Sequence, residues 1–402
     1  MNVPSVSQRI INTDVPHIEI VLNRYAHLDP PPANLAQGVS RWNPPPSVFR
    51  AASDGSLSET RTHKYNAVLG LADLRDALHS KLEQDCGLDM TGQEIMVCAG
   101  ANQAFVNAAL ALLDPGDKVV LPRPYYFSHL CSLQLAGACV EYCDFNKATL
   151  LPDMAQLRQL LRQPEVKMVV ITTPGNPSGA VYSRAMIEEI AQLCREHGTW
   201  LVIDEAYCDF VHDGAQHYSP CANALGFDSI IHIYSFSKSY GLAGWRVGYM
   251  VYPQRISEHI QKVQDTVPTH AAVASQRLAL AASSGGSSSS SSSAWVKQQV
   301  AALHTCREAM WSQVSPYGTV RTNGAFYFFV PLPGGPASED AAIELLAMQC
   351  GVLVTPGSAF GAPGHIRVSY GSLPEPECLE AIARLGRGLR SLAQRAENGP
   401  EG

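Results

Sequence analysis

Between residues 94 and 251 the chain alternates short apolar runs with amphipathic stretches, and few folds accept that pattern. Glu94–Cys98, Lys118–Leu121, Cys139–Cys143, Met168–Thr172, Trp200–Ile203, Ser229–Tyr234 and Val247–Val251 have the length and texture of strands. Asn102–Leu113, Met154–Gln163, Arg184–His197 and Gln254–Asp265 space their apolar residues as helices do. Seven strands interleaved with helices predict an α/β fold: a mostly parallel seven-stranded sheet with both faces covered.

The flanks read differently. Pro30–Pro32 and Pro44–Pro46 are expected to bar regular helix and central strand, leaving the first 50 residues as an arm draped on a larger body. Leu69, Leu71, Leu74, Ala77, Leu78 and Leu82 then repeat at helical spacing. The tract Ser283–Ser293, SSGGSSSSSSS, has nothing to bury and is expected to be a disordered insertion between helices Ser275–Ala282 and Ala294–Met310. Beyond it, strands Phe326–Val330, Val352–Thr355 and His365–Ser369 and helices Asp340–Cys350 and Pro376–Gln394 predict a smaller α+β domain. The expected division is a large domain over 50–295 and a small domain made of 1–49 and 296–402.

Composition removes several function classes. Charged residues are 16% and the net charge is −7, so nothing favours nucleic acid or an anionic membrane. No apolar run approaches the roughly 18 residues of a spanning helix. Eleven cysteines without a Cys-x-x-Cys spacing read as reduced thiols in a packed interior. No secretory pattern opens the chain, and a cytoplasmic protein is expected. No metal site is expected.

The chemistry gathers where strands end. Ile230–Tyr234 runs into Ser235-Phe-Ser-Lys238-Ser-Tyr-Gly-Leu-Ala-Gly-Trp-Arg246. A lysine at the mouth of a buried strand is either a dangling surface charge or a desolvated amine able to join an aldehyde as a Schiff base. Ser235, Ser237 and Arg246 beside it suit a phosphate. Leu201-Val-Ile-Asp204-Glu205-Ala-Tyr207 ends a strand on an acid, placed to cap a turn or to keep a pyridinium nitrogen protonated. Tyr207 and Asn176, the latter in Thr173-Pro-Gly-Asn-Pro-Ser-Gly179, are candidate ligands of a ring oxygen. Ala101 and Asn102 open a helix whose free N–H groups attract phosphate. Tyr126 is a stacking candidate, and Arg367, inside an apolar strand, calls for an acidic neighbour or a substrate carboxylate.

In this order and spacing the pieces resemble the class I/II pyridoxal-phosphate aminotransferases of fold type I, from about Leu35 to the last helix. The resemblance implies pyridoxal 5′-phosphate as cofactor and an amino acid and a 2-oxo acid as substrates. It implies Lys238 as the Schiff-base lysine, Asp204 as the pyridinium partner, Asn176 and Tyr207 at the ring oxygen, and Tyr126 on the ring. Ala101, Asn102, Ser235, Ser237 and Arg246 resemble the phosphate cup, and Tyr65 a tyrosine reaching the other subunit's phosphate in a homodimer. Arg367 resembles the carboxylate clamp and Gly38 a substrate-facing glycine. Lys238, Asp204 and Tyr207 are the expected catalytic residues; Gly38, Asn176 and Arg367 are the expected substrate ligands.

Ala36-Gln-Gly-Val-Ser-Arg-Trp42, Ala99-Gly-Ala-Asn-Gln-Ala-Phe-Val-Asn107 and Asp265-Thr-Val-Pro268 are most similar to the plant-type aromatic/methionine aminotransferases. Residues 263–276 hold no lysine or arginine to receive a distal carboxylate, so an aromatic amino acid or methionine is the expected donor. Trp42 is a candidate wall of that pocket, and Arg41 an alternative cation. Aspartate-type transamination and a pyridoxal-phosphate lyase or aminocyclopropane-carboxylate synthase are the alternatives. Ser235-Phe-Ser-Lys238 also satisfies the Ser-x-x-Lys pattern of penicillin-binding hydrolases, but the companion Ser-Asp-Asn and Lys-Thr-Gly elements are missing. A cofactor-binding regulator would need a DNA-binding domain for which the N-terminus is too short.

Overall fold

The strands predicted between 94 and 251 all form and pair into one sheet. A computed structural model describes residues 5–15, 17–284 and 292–398. The chain opens with α1 (Gln8–Ile11), α2 (His17–Arg24), β1 (Ala33–Asn34), α3 (Pro46–Ser53) and α4 (Ala72–Cys86). The α/β portion follows as β2 (Gln93–Cys98), α5 (Ala101–Leu112), β3 (Lys118–Pro122), α6 (Phe127–Ala136), β4 (Cys139–Cys143), α7 (Met154–Leu161) and β5 (Val166–Thr172). It continues through α8 (Arg184–His197), β6 (Trp200–Asp204), α9 (Ala222–Leu225), β7 (Ile230–Ser235), α10 (Phe236–Ser239), β8 (Gly248–Pro253) and α11 (Ser257–Thr266). Last come α12 (Val273–Ser283), α13 (Ser292–Ala301), α14 (His304–Val314), β9 (Tyr327–Pro331), α15 (Glu339–Met348), β10 (Val352–Leu353), β11 (Thr355–Pro356), β12 (His365–Ser369) and α16 (Glu375–Asn398).

The sheet order is β2-β8-β7-β6-β5-β3-β4. Six strands run one way, and β8 lies antiparallel to both neighbours. Alternate side chains feed separate cores on the two faces. Val202, Ile231 and Ile233 pack with Phe105 and Leu133, whereas Leu201, Ile203 and Ile230 pack with Ile187 and Ile190. The order reverses between β3 and β5, so β3 and β5 leave a crevice at their carboxyl ends, the usual ligand position of open α/β sheets. β7 and β6 end on the same edge, and the antiparallel β8 begins there.

Four expectations are corrected. The proline-rich flank does carry helix: Pro46 is the first residue of α3, where its missing N–H costs nothing and its fixed φ suits the turn. The arm is also paired, since Ala33 and Asn34 form a parallel ladder with Val352 and Leu353. The helix expected over 294–310 is two helices. Arg41 donates to the Ala302 carbonyl at the break, at 2.7 Å. The serine tract is helical at both ends, because Ser283 closes α12 and Ser292 opens α13. Ser283 Oγ donates back to the Ala279 carbonyl at 3.0 Å, which lets a serine stay in a helix. Residues 285–291 of the expected insertion lie outside the described residues. The strand expected over 352–355 is split, β10 pairing with the arm and β11 with β12.

Candidate active site

The carboxyl ends of the sheet strands and the segments after them enclose a cavity of about 270 Å³. It is lined by Gly38, Ala101, Asn102, Tyr126, Asn176, Asp204, Tyr207, Ser235, Ser237, Lys238, Arg246 and Arg367. Twelve of the thirteen residues expected as catalytic, cofactor or substrate ligands therefore meet in one place. The exception is Tyr65, 88% exposed at the molecular surface with its ring edge-on to His270 at 6.1 Å.

Lys238 sits on α10, a single turn begun by Ser235, whose side chain accepts from the Ser237 N–H. Its Nζ donates to the Gly38 carbonyl. Desolvation, then the nearby Arg367 and Arg246 charges, lower its pKa to about 8, against the opposing pull of Asp204. The amine therefore has an appreciable neutral fraction near neutral pH.

Asp204 ends β6 with one oxygen accepting from the Ala206 N–H at 3.0 Å and the other 3.0 Å from His129 Nε2. His129 is buried on α6, with its ring 4.3 Å from Phe105 and edge-on to Tyr126. The next residue, Glu205, belongs to a different environment. It is fully buried and bonded to His217 (2.5 Å), His232 (2.6 Å) and Ser219. Burial pushes its carboxyl up, but His232 and His217 outweigh that and hold it down at about 2.

The two arginines are notable for what they lack. Among the described residues neither Arg246 nor Arg367 has a carboxylate partner. Arg367, 2% exposed, donates to Asn176 Oδ1 at 2.7 Å, to the Ala36 carbonyl and to Thr355 Oγ1 at 3.3 Å. Its guanidinium lies over the rings of Tyr327 and Phe360 at 4.5 and 5.1 Å, and its buried Nε has no partner. Arg246 donates to the Ala243 and Ala99 carbonyls at 2.9 and 3.3 Å, from a left-handed backbone conformation of φ 50°. A buried cation without a counterion is costly, so Arg367 marks a place for an anion that arrives from outside, while the more exposed Arg246 offers its guanidinium at the cavity wall.

The residues fit pyridoxal phosphate. No side chain caps α5, leaving the N–H groups of its first turn beside Ser235, Ser237 and Arg246. The cradle is tight. A Cβ on Gly248 would stand 2.9 Å from the Ala101 nitrogen, and one on Gly100 2.5 Å from Arg246 Nη2. Asp204 brings a carboxylate to the same cavity. Asn176, having spent Oδ1 on Arg367, keeps its Nδ2 as a donor, and Tyr207 hydroxyl contacts Tyr327 hydroxyl at 2.6 Å. Burial, then Tyr327, hold the Tyr207 phenol well above its ordinary pKa, so it stays a proton donor.

Sequence reasoning missed Tyr327, Ile18, Phe127 and Val39, which also line the cavity, and His129 behind it. Three-residue spacing from Tyr126 to His129 was the available signal for the histidine. Nothing in Ala-Phe-Tyr327-Phe-Phe singles out one aromatic. Two proposed pocket residues lie elsewhere. Trp42 stacks on Phe210 at 5.9 Å and donates to the Ser239 carbonyl, a packing role. Arg41 is engaged by Glu375 at 3.3 Å, Ala302 and Cys306. Among the described residues no group of three His, Cys, Asp or Glu side chains could hold a metal ion, and no helix is long and apolar enough to cross a membrane.

The family model for class I and II aminotransferases matches residues 30–385. The aromatic aminotransferase ISS1 of Arabidopsis thaliana is 36% identical over 396 residues, covering 96% of this chain and 97% of that protein. The aspartate/prephenate aminotransferase of Thermus thermophilus is 32% identical, covering 88% and 91%. The solved structure of Thermus thermophilus aspartate aminotransferase with maleate superposes with a TM-score of 0.87 at 28% identity, covering 96% of this chain and all of that one.

Proposed function

The chain belongs to the class I and II aminotransferases of fold type I, pyridoxal-phosphate enzymes acting on amino acids and 2-oxo acids, and from that premise we propose that its donor is an aromatic amino acid or methionine. The observation that carries this reading is the inventory of cations at the cavity. Only Lys238, Arg246 and Arg367 line it among the described residues. The first is the amine that must react, the second serves a phosphate and the third an α-carboxylate, so none of the protomer's own cations is left for a distal carboxylate. Arg41 is committed elsewhere. The remaining wall includes Ile18, Val39 and Phe127. Against it an apolar side chain gains roughly 25 cal/mol per Å² buried, while an unpaired carboxylate pays several kcal/mol. The 36% identity to an aromatic aminotransferase points the same way, and the 32% identity to an aspartate/prephenate enzyme keeps aspartate as the second reading.

The residues divide the work as follows. Bound pyridoxal phosphate supplies an aldehyde that links to amines and a ring that accepts electrons from Cα. Lys238 Nζ, neutral above about pH 8, is the base that takes the substrate's Cα proton and returns it. Arg367 grips the α-carboxylate and so fixes which Cα bond faces Lys238. Asp204, held by His129 and the Ala206 N–H, keeps a negative charge at the ring nitrogen. Tyr207 and Asn176 would offer hydrogen bonds to the ring oxygen, Tyr126 would cover the ring, and Ala101, Asn102, Ser235, Ser237 and Arg246 would hold the phosphate. Gly38 has no side chain to obstruct the substrate. A Cβ there would strike the Tyr327 hydroxyl.

The proposed assembly is a homodimer with shared sites, supported by exposed Tyr65, Phe49 and Val267 at 88%, 55% and 59%. The proposed domain division, 50–295 against 1–49 with 296–402, is supported by the ladder joining β1 to β10. A donor panel at one fixed 2-oxo acid tests the substrate. Phenylalanine, tyrosine, tryptophan or methionine should give the highest kcat/KM. An aspartate value about tenfold above all four, some 1.4 kcal/mol of transition-state preference, would overturn it.

A further inference from the structure

Tyr327 makes two close contacts beside the cavity, one with Tyr207 and one with Arg367. It stands on β9, fully buried, yet lines the cavity. Its hydroxyl lies 2.6 Å from that of Tyr207, and the face of its ring carries the Arg367 guanidinium at 4.5 Å. Its backbone register places it there: Phe329, two residues on, pairs with Arg367, and Tyr327 itself pairs with Ser369. One side chain thus touches both the group that meets the ring oxygen and the group that meets the substrate carboxylate.

We propose that Tyr327 is a positioning residue that aims the Tyr207 hydroxyl proton at the cofactor ring and seats Arg367 for the substrate carboxylate. This role presupposes those proposed for Tyr207 at the ring oxygen and Arg367 at the substrate carboxylate. Each phenol has one proton. A Tyr207 that donates to the ring oxygen has none left for Tyr327, so the 2.6 Å contact requires the Tyr327 O–H to donate to the Tyr207 oxygen. Tyr327 has no other side-chain hydrogen-bond partner among the described residues. Its proton therefore fixes the direction of its neighbour's, and a donor that itself accepts a hydrogen bond is strengthened. The ring has a separate task. Arg367 has no carboxylate at rest; beside its hydrogen bonds to Asn176, Ala36 and Thr355, the faces of Tyr327 and Phe360 help hold the guanidinium flat until an anion arrives.

The two tasks separate by substitution. Tyr327→Phe keeps the ring and removes the proton. Tyr327→Leu removes both. In the holoenzyme, the pH midpoint of the cofactor's visible absorbance should rise by about half to one pH unit in Tyr327→Phe, the value of one hydrogen bond to a charged oxygen, with donor KM within about threefold of wild type. Tyr327→Leu should show the same midpoint change and a KM for donor and 2-oxo acid raised roughly tenfold or more. Tyr207→Phe should move the midpoint the same way. Adding Tyr327→Phe to it should move the midpoint no further, and this double variant leaves no buried hydroxyl unpaired. A residue that only filled space would lower thermal stability without moving the midpoint. If Tyr207→Phe moves the midpoint and Tyr327→Phe does not, or if the two shifts add in full, the proposal for Tyr327 fails while the reading of Tyr207 stands. A midpoint unmoved by Tyr207→Phe overturns both.

Discussion

Removing the Lys238 charge from the cofactor-free protein should change stability in a way that depends on pH with a defined sign. The amine titrates near 10.5 when free and at about 8 in the folded chain, chiefly because burial strips water from the ammonium. Between those values the unfolded chain holds the proton and the folded chain does not. Raising the pH across that window therefore favours folding, and below about 8 the folded protein carries the full penalty. The fall from 10.5 to about 8 corresponds to roughly 3 kcal/mol. That figure is a ceiling, since part of Lys238 faces the cavity and water can enter it. Lys238→Met keeps most of the length of the side chain and cannot charge. Urea unfolding of the apoenzymes at pH 7, 8, 9 and 10 should show the variant favoured, relative to wild type, at pH 7. The difference should shrink by up to roughly 3 kcal/mol as pH rises, other groups cancelling between the two proteins. A difference that stays flat with pH would refute the desolvated amine, and with it the account of how Lys238 serves as a base near neutrality.

Three further outcomes are expected. Lys238→Ala should be folded and inactive, and mixing it with an inactive bulky variant of Tyr65 should restore activity through hybrid dimers; failure of every such mixture, or an active monomer in sedimentation, would remove the shared site. Gly248→Ala should weaken pyridoxal-phosphate binding by at least about tenfold in a fluorescence titration, because its Cβ meets backbone at 2.7 and 2.9 Å, at the Tyr234 oxygen and Ala101 nitrogen, and backbone cannot yield as a side-chain tip can. Glu205→Ala should cost about 3–5 kcal/mol in chemical denaturation by leaving His217 and His232 without their buried carboxylate. In the wild type that stability is present above about pH 4.5 and is lost as pH falls through about 2.

Much of this protein was legible before folding was considered. Strand period, helix spacing and strand-end residues are local properties, and Lys238, Asp204, Asn176 and the Ala101 turn each stand directly after an apolar run that a parallel sheet must bury. Because the sheet aligns carboxyl ends on one edge, locating the strands also located the cavity. Prolines misled for a local reason too: the same ring that breaks a helix interior suits its first turn, and only the register of Pro46 in α3 decides between them. What the sequence left open are relations between distant segments. His129 reaches Asp204 across 75 residues and Tyr327 reaches Tyr207 across 120. Neither pairing leaves a periodic trace, since each side chain reads alone as ordinary core. Trp42 and Arg41 show the converse. Both had the right chemistry for a substrate wall, and packing against Phe210 and pairing with Glu375 took them out of it. Residue types and local spacing thus determined the fold class and the chemistry the chain can perform. The assignment of each charge to a partner, or to none, was decided by the tertiary structure, because the cost of a buried charge depends on every neighbour the fold brings to it.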